Sequence, residues 1–358
     1  MKHHTAARPP APTGLPQGLD LPALTAYLEH EMPGVLAGPL TGRLIAGGRS
    51  NLTYLVTDGT QEWVVRRPPL GHVLETAHDM GREHRVMAAL HGSNVPVPDM
   101  LTLCRDPDVL GVPFYVMSFV DGTVYRTDAQ LADVSRTAAI ELADGLIDVL
   151  ARLHAVKPQS VGLGDLGRPA GYLERQVRRW GKQLNASRSR EIPGVDDLSR
   201  RLAGSVPQSR REALVHGDYK LDNLVIEAAA PGRVLAVLDW EMATLGDPLT
   251  DVANVVIWWD GVRDSDGNPF TAIPADVPGF PASTWLLDRY ARTTSTDLEA
   301  LPWYLGLAYY KLAAIFEGMY YRDSQGLTVG EGFDRLSGLA PALAQRAHEV
   351  LDISGGPG

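Results

Sequence analysis

Val215-His216-Gly217-Asp218-Tyr219-Lys220-Leu221-Asp222-Asn223 decides the fold class of this 358-residue chain. An apolar run ends at Val215, a glycine follows, and an aspartate and an asparagine stand five positions apart. Sixteen residues beyond Asn223, a second apolar run ends in Leu238-Asp239-Trp240-Glu241. Short apolar runs bounded by turn residues read as buried strands. The pattern is therefore strand, loop, strand, with oxygen-bearing side chains on the loop and at the strand end. Such a set suits phosphoryl transfer. One carboxylate orients an acceptor hydroxyl or takes its proton. A second carboxylate and an amide oxygen are enough to hold Mg²⁺, which keeps several waters. An isolated His-Gly-Asp reads equally well as a turn after a buried strand, and it is the second half of the pattern that selects the chemistry.

Upstream, residues 21–32 have the spacing of a short amphipathic helix, with Leu21, Leu24 and Leu28 on one face. Leu44-Ile45, Leu52–Thr57 and Glu62–Arg66 read as strands, joined by Gly47-Gly48 and an Asp58-Gly59 hairpin. Residues 76–91 have helical spacing, and Leu101–Cys104 and Phe114–Val120 are further strands. Beyond Asp121-Gly122 the periodicity turns helical over 131–154, 171–185 and 196–203. The two strands of the motif interrupt it, and it resumes over 247–259, 284–292, 302–322 and 331–351. The expected organisation is a mobile, proline-rich tail over 1–20, a sheet-bearing lobe over 21–120 and a mainly helical lobe over 121–358.

Composition narrows the partners. The formal charge is −10, which argues against duplex nucleic acid as the main partner, because affinity there comes from neutralising phosphates. The single cysteine, Cys104, excludes a disulfide within the chain and reads as a small buried residue. No segment has the apolar length of a membrane span or a signal peptide, so the expectation is a cytoplasmic protein without a membrane partner. His3 and His4 read as solvated tail residues. The sequence leaves the oligomeric state open.

The same Asp-to-Asn spacing occurs in the catalytic loop of kinases. Together with Gly246-Asp247-Pro248-Leu249-Thr250-Asp251-Val252-Ala253, these motifs resemble the aminoglycoside phosphotransferase and choline kinase-like family. Phe114-Tyr115-Val116-Met117-Ser118-Phe119-Val120-Asp121-Gly122 resembles that family's hinge strand, and Gly47-Gly48-Arg49-Ser50-Asn51 occupies the place of its nucleotide loop. Arg66-Arg67-Pro68-Pro69 and Leu-Asp-Trp-Glu look nearest to the subgroup related to kinase domains fused to acyl-CoA dehydrogenases, which is associated with hydroxy-acyl substrates.

The resemblance implies a two-lobed, protein-kinase-like α+β fold, with an antiparallel sheet and one helix in the first lobe. It implies ATP and Mg²⁺ as cofactors and a small-molecule hydroxyl as acceptor. Asp218 takes the place of the catalytic base, Asn223 and Asp239 those of the Mg²⁺ ligands. Glu241 supports the metal from the same strand face if the strand continues. His216 and Asp251 brace the loop. Gly47, Gly48, Ser50 and Asn51 contact nucleotide, as do Met117, Ser118 and Phe119 of the hinge, where motion gates the site. Arg66, paired with Glu83, stands where the family carries a phosphate-binding lysine. This is a departure, because a planar guanidinium is not a neutral replacement for an ammonium, and it leaves open whether Arg66 or Arg67 makes the contact. Asp247 reads as a helix cap and His154 as packing.

Two features bear on the acceptor. Residues 168–212 carry a net charge of +6, leaving −16 on the remainder. The segment reads first as solvated helix faces and alternatively as a cationic wall for an anionic acceptor. Of 25 aromatic residues, 14 lie between Trp258 and Phe333, many as adjacent pairs. Adjacent helical residues do not share a face, so each pair sends one ring to the core and one elsewhere. Trp258, Trp259, Tyr310 and Tyr320 are the candidates to wall an apolar acceptor pocket. An antibiotic phosphotransferase and a catalytically silent nucleotide-binding regulator are the alternatives. A protein kinase ranks last, because no Asp-Phe-Gly or Ala-Pro-Glu follows Asp239.

Overall fold

The computed structural model describes residues 16–46, 51–70, 79–261, 272–326 and 333–354. Gly47, Gly48 and Ser50 lie outside the described residues, as does most of the N-terminal segment. The chain divides into two compact units. The first holds the described residues up to Ala88 together with Pro98–Phe119, and the second holds Ala89–Val97 and the chain from Val120 onward.

In the first unit, β1 (Thr41–Ala46), β2 (Leu52–Thr57), β3 (Glu62–Arg67), β4 (Met100–Cys104) and β5 (Phe114–Ser118) form one antiparallel sheet in the order β1-β2-β3-β5-β4. The hairpin between β2 and β3 turns at Gly59, whose φ of 90° is open to glycine, and Asp58 accepts the Thr60 and Gln61 N–H groups. Alternation along the strands sorts the side chains. Tyr54 and Val56, Trp63 and Val65, Phe114 and Val116 share a core with Leu24 and Leu28 of α1 (Leu21–Glu31) and with Leu110 of the short α3 (Pro107–Leu110). The opposite face carries Arg66 and Tyr115, which meet Glu83 of α2 (Met80–Leu90). Both faces are covered, so β2 is buried along nearly its whole length.

The expected free tail over 1–20 is corrected at its end. Leu19 is buried, Asp20 caps α1 by accepting the Ala23 N–H, and the carbonyls of Gln17 and Gly18 accept from the Tyr54 hydroxyl and Arg67. The bonds to the Gln17 and Gly18 carbonyls tie this stretch to the sheet.

The second unit is mainly helical, with α4 (Asp128–Ala132), α5 (Arg136–Ala155), α6 (Tyr172–Ser187), α7 (Val195–Gly204), α8 (Leu249–Asp260), α9 (Ser283–Thr294), α10 (Leu301–Ser324) and α11 (Leu339–Ser354). Two small antiparallel ladders sit among them. β6 (Ala213–Val215) pairs with β9 (Thr244–Gly246), and β7 (Leu224–Ile226) with β8 (Val234–Val237). The strand β9 and the helices α3 and α4 were not expected, being too short to leave a periodic signal. α10 is buried on nearly all sides from Leu301 to Gly318, the behaviour of a helix apolar all round. It passes α6, α7, α8 and α11 and therefore forms the axis of the unit.

Candidate active site

The loop after β6 is held by charged groups that are themselves buried. Asp251, in the first turn of α8, accepts the His216 N–H at 2.7 Å on one carboxylate oxygen and the Gly217 N–H at 2.8 Å on the other. His154, near the end of α5, approaches the same carboxylate through Nε2 at 3.3 Å, while its Nδ1 lies 2.8 Å from the Tyr290 hydroxyl. Burial alone drives the Asp251 carboxyl upward. The His154 hydrogen bond and charge, with His216, outweigh it and hold the group below the ordinary carboxylate range. His154 is thus more than packing: it supports the carboxylate that supports the loop.

Gly217 has a φ of 84°, and a Cβ there would lie 2.7 Å from the Met242 carbonyl oxygen, so the loop has room for no side chain at this position. The Gly217 carbonyl accepts from the Lys311 ammonium of α10. His216 places Nε2 2.9 Å from the Leu238 carbonyl and accepts the Asp218 N–H on Nδ1 at 3.2 Å. It thereby links the loop to the end of β8, and its ring packs 4.6 Å from that of Trp240.

Asp218, Asn223 and Asp239 come together within this one unit. The Asn223 side-chain amide donates to the Asp218 carbonyl at 2.8 Å and to Oδ2 of its carboxylate at 3.3 Å. The Leu238 N–H donates to the Asn223 carbonyl at 2.8 Å, which sets Asp239 beside the loop. The strand does not continue to Glu241, as the expectation required. It ends at Val237, Asp239 adopts a left-handed conformation (φ 66°, ψ 61°), and Trp240–Met242 form a 3-10 turn. A non-glycine residue in that region costs on the order of 1–3 kcal/mol. The turn, not the pleat of a strand, brings a carboxylate oxygen of Glu241 within 4.8 Å of one from Asp239.

Lys220, which the sequence pattern does not single out, completes the cluster. Its ammonium lies 3.1 Å from Asp218 Oδ2 and 3.8 Å from Asp222, and 4.4 Å from the centre of the Trp258 ring. Burial raises the Asp218 carboxyl, but Lys220, Lys311 and His216 together outweigh it and leave the group below its usual value. Asp222 moves the other way: burial and the neighbouring Asp218 charge raise it despite Lys220. The two carboxylates shift in opposite directions, Asp218 downward and Asp222 upward.

Of the aromatic candidates, Trp258 and Trp259 line a small cavity with Lys220, Leu146 and Val255. Their rings diverge, Trp258 lying under Lys220 while Trp259 donates to the Pro281 carbonyl and meets Phe280 edge-on. Tyr310 is corrected to a core residue. It is buried against Gly181 of α6, with Ser199 of α7 as hydroxyl partner. Tyr320 packs under the Arg190 guanidinium at 4.0 Å, which also pairs bidentately with the buried Glu317.

In the first unit, Glu83 is fully buried and accepts from Arg66, from the Tyr115 hydroxyl at 2.6 Å and from the Asn51 amide at 3.2 Å. The Arg66–Glu83 separation is 3.1 Å, and this is a buried pair rather than a surface one. Arg66 and Tyr115 are cross-strand partners on β3 and β5, so both reach the same carboxylate. Arg67 points to the other face, where its guanidinium donates to the carbonyls of Gly18, Leu110 and Pro68. On β5, Met117 is buried, Ser118 exchanges hydrogen bonds with Asp99, and the Phe119 N–H reaches the Glu62 carbonyl.

This fold and this loop define a phosphotransferase of kinase-like α+β architecture. The profile of the Phosphotransferase enzyme family matches residues 41–282, and the chain belongs to that family. Acyl-CoA dehydrogenase family member 11 of Gallus gallus is 35% identical over 341 residues, covering 92% of this chain and 43% of that protein. The Mus musculus member 11 is 37% identical over 320 residues, covering 87% and 41%. The chain thus spans about two fifths of the length of these curated relatives. A solved chain from Ralstonia eutropha, named as a candidate aminoglycoside phosphotransferase, superposes with a TM-score of 0.76 at 33% identity, over 92% of this chain and 98% of that one. Aminoglycoside 2′-phosphotransferase-IIIa in its GDP complex shares the fold at a TM-score of 0.62 and 15% identity, over 92% and 99%.

Proposed function

We propose that this phosphotransferase is an ATP- and Mg²⁺-dependent small-molecule kinase whose acceptor is the hydroxyl of a hydroxy acid or a hydroxyacyl-CoA. The observation that carries the reading is the convergence of Asp218, Asn223 and Asp239, tied by the two bonds from the Asn223 amide to Asp218. The Asp218 carboxylate accepts the proton of the acceptor hydroxyl as that oxygen bonds to the γ-phosphorus, the bond from the γ-phosphorus to the β–γ bridging oxygen breaks and ADP leaves. Because the Asn223 side-chain nitrogen is occupied by Asp218, its side-chain oxygen Oδ1 is the atom with lone pairs for a cation. With Asp239 and Glu241 it makes an all-oxygen donor set, which fits a hard divalent ion. Mg²⁺ held by these residues would supply charge neutralisation on the phosphates. Arg66, oriented by Glu83, contacts the phosphates, whereas Arg67 is committed to carbonyls on the far face of the sheet. Asn51, Met117, Ser118 and Phe119, with Gly47, Gly48 and Ser50, form the nucleotide-facing set, and motion at Ser118–Gly122 gates entry. The work of such a site is positioning and charge neutralisation.

The acceptor class is supported by the kinship with acyl-CoA dehydrogenase family members, all of which match this chain over less than half their own length. The second reading, an antibiotic kinase acting in the cytoplasm, draws on the naming of the Ralstonia eutropha chain. A nucleotide-consumption screen over hydroxy acids, their coenzyme A esters, aminoglycosides and macrolides separates the two. Turnover confined to the antibiotics overturns the first. Stoichiometric ATP binding with no turnover on any of them favours a silent regulator.

A further inference from the structure

Lys311 sits in the middle of α10, only 8% exposed, between Tyr310 and Leu312. Among the described residues its ammonium has one hydrogen-bond acceptor, the Gly217 carbonyl, and beyond that only the Trp180 ring at 5.8 Å. A buried ammonium with no carboxylate in direct salt-bridge contact among the described residues is expensive, and an apolar side chain of similar length would pack the same site at lower cost. Its cost needs a compensating role, and the position of the acceptor atom suggests one.

The Gly217 carbonyl belongs to the peptide that leads into Asp218. On the N-terminal side of Gly217, Asp251 of α8 takes the N–H groups of His216 and Gly217. The peptides around Gly217 are therefore clamped between an anion from α8 and a cation from α10, with no side chain at 217 to help. A loop held this way cannot rotate its carbonyl without stranding a buried charge.

We propose that Lys311 is a positioning residue for phosphoryl transfer, fixing the Gly217–Asp218 peptide and thereby the aim of the Asp218 carboxylate. This rests on the kinase reading above and extends it to a residue 94 positions from the loop it orders. The surroundings agree. Burial lowers the Lys311 ammonium, while Asp218 and Asp251 act to keep it charged, so the lysine and the two aspartates support one another.

The test uses the full chain with Mg–ATP alone as probe, reading phosphate release to water, nucleotide affinity and amide exchange over 214–220. Lys311→Met removes charge and donor, Lys311→Gln keeps a donor, and Lys311→Arg keeps both. The expected result is a loss of about tenfold or more in turnover for Lys311→Met with nucleotide affinity unchanged, an intermediate Lys311→Gln and substantial recovery in Lys311→Arg. Faster amide exchange at 216–219 should follow the same order. If Lys311→Met does not fold, the other two variants and wild type carry the comparison. Wild-type turnover and exchange in Lys311→Met, or a joint loss of turnover and nucleotide affinity that Lys311→Arg does not relieve, overturns the proposal. Should wild type and Asp218→Ala release phosphate equally, the kinase reading fails, and exchange over 216–219 still decides whether Lys311 orders the loop.

Discussion

The side chain of Asn223 holds Asp218 twice, at its backbone carbonyl (2.8 Å) and at its carboxylate (3.3 Å), with a single amide nitrogen. The residue proposed as a metal ligand thus also holds the carboxylate proposed as the base. Asn223→Ala should therefore damage both, lowering turnover by roughly 10²-fold or more and raising the Mg²⁺ concentration for half-maximal rate. Asn223→Asp should not rescue, because it places a second carboxylate against Asp218. Rates measured across a Mg²⁺ titration check this; a wild-type Mg²⁺ dependence in Asn223→Ala would remove the residue from the metal set.

Asp251 accepts from His216 N–H, Gly217 N–H and His154 in a fully buried place. Asp251→Asn turns one acceptor oxygen into a donor facing donors, at a cost of about 3 kcal/mol or more. The pH dependence has a definite sign. The folded-state pKa of Asp251 is depressed, so the unfolded chain binds more protons and the stabilisation is present above the unfolded value. It fades as the pH falls below about 4 toward the folded value. Denaturation curves across that range should fall less steeply with acid in Asp251→Asn than in wild type.

The two arginines of β3 should separate cleanly. On the proposed role of its guanidinium at the phosphates, Arg66→Ala should weaken Mg–ATP binding by about tenfold or more. Arg67→Ala should instead lower the melting temperature with little selective effect on ATP, because it strands the buried carbonyls of Gly18 and Leu110. Calorimetric titration and thermal melting on the same two variants give the answer. Equal losses of ATP affinity would return the question to where the sequence left it.

That question was in fact legible. Along β3, Trp63, Val65 and Arg67 alternate with Val64 and Arg66, so the apolar pattern assigns Arg67 to the core face shared with α1 and Arg66 to the other. The loop residues were legible for a similar reason: His216, Asp218, Asn223 and Asp239 are close in sequence and bridged by two short strands. Lys311 was hidden because nothing local links α10 to the loop, although a lone lysine amid Tyr310, Leu312 and Ala313 is itself a signal. The conformation of Asp239 could not be read, since an aspartate after an apolar run gives no sign that the strand stops at Val237. The tie between residues 17–20 and the sheet was hidden too, because it runs through backbone carbonyls that any sequence possesses.

Gly217→Ala offers a sharp check on the loop itself. A Cβ there meets the Met242 carbonyl at 2.7 Å, and the left-handed backbone disfavours any side chain. The variant should lose turnover by about 10²-fold while the first unit, and with it Arg66 and Glu83, stays intact. Near-normal rates would mean that the geometry of the loop is not what limits the reaction.

The most direct test of the central claim is Asp218→Ala, assayed for phosphoryl transfer on the first acceptor found active with wild type, alongside ATP affinity. The expected result is loss of transfer with nucleotide binding largely kept. A variant that transfers phosphate at the wild-type rate would contradict the assignment of Asp218, and with it the mechanism built on this loop.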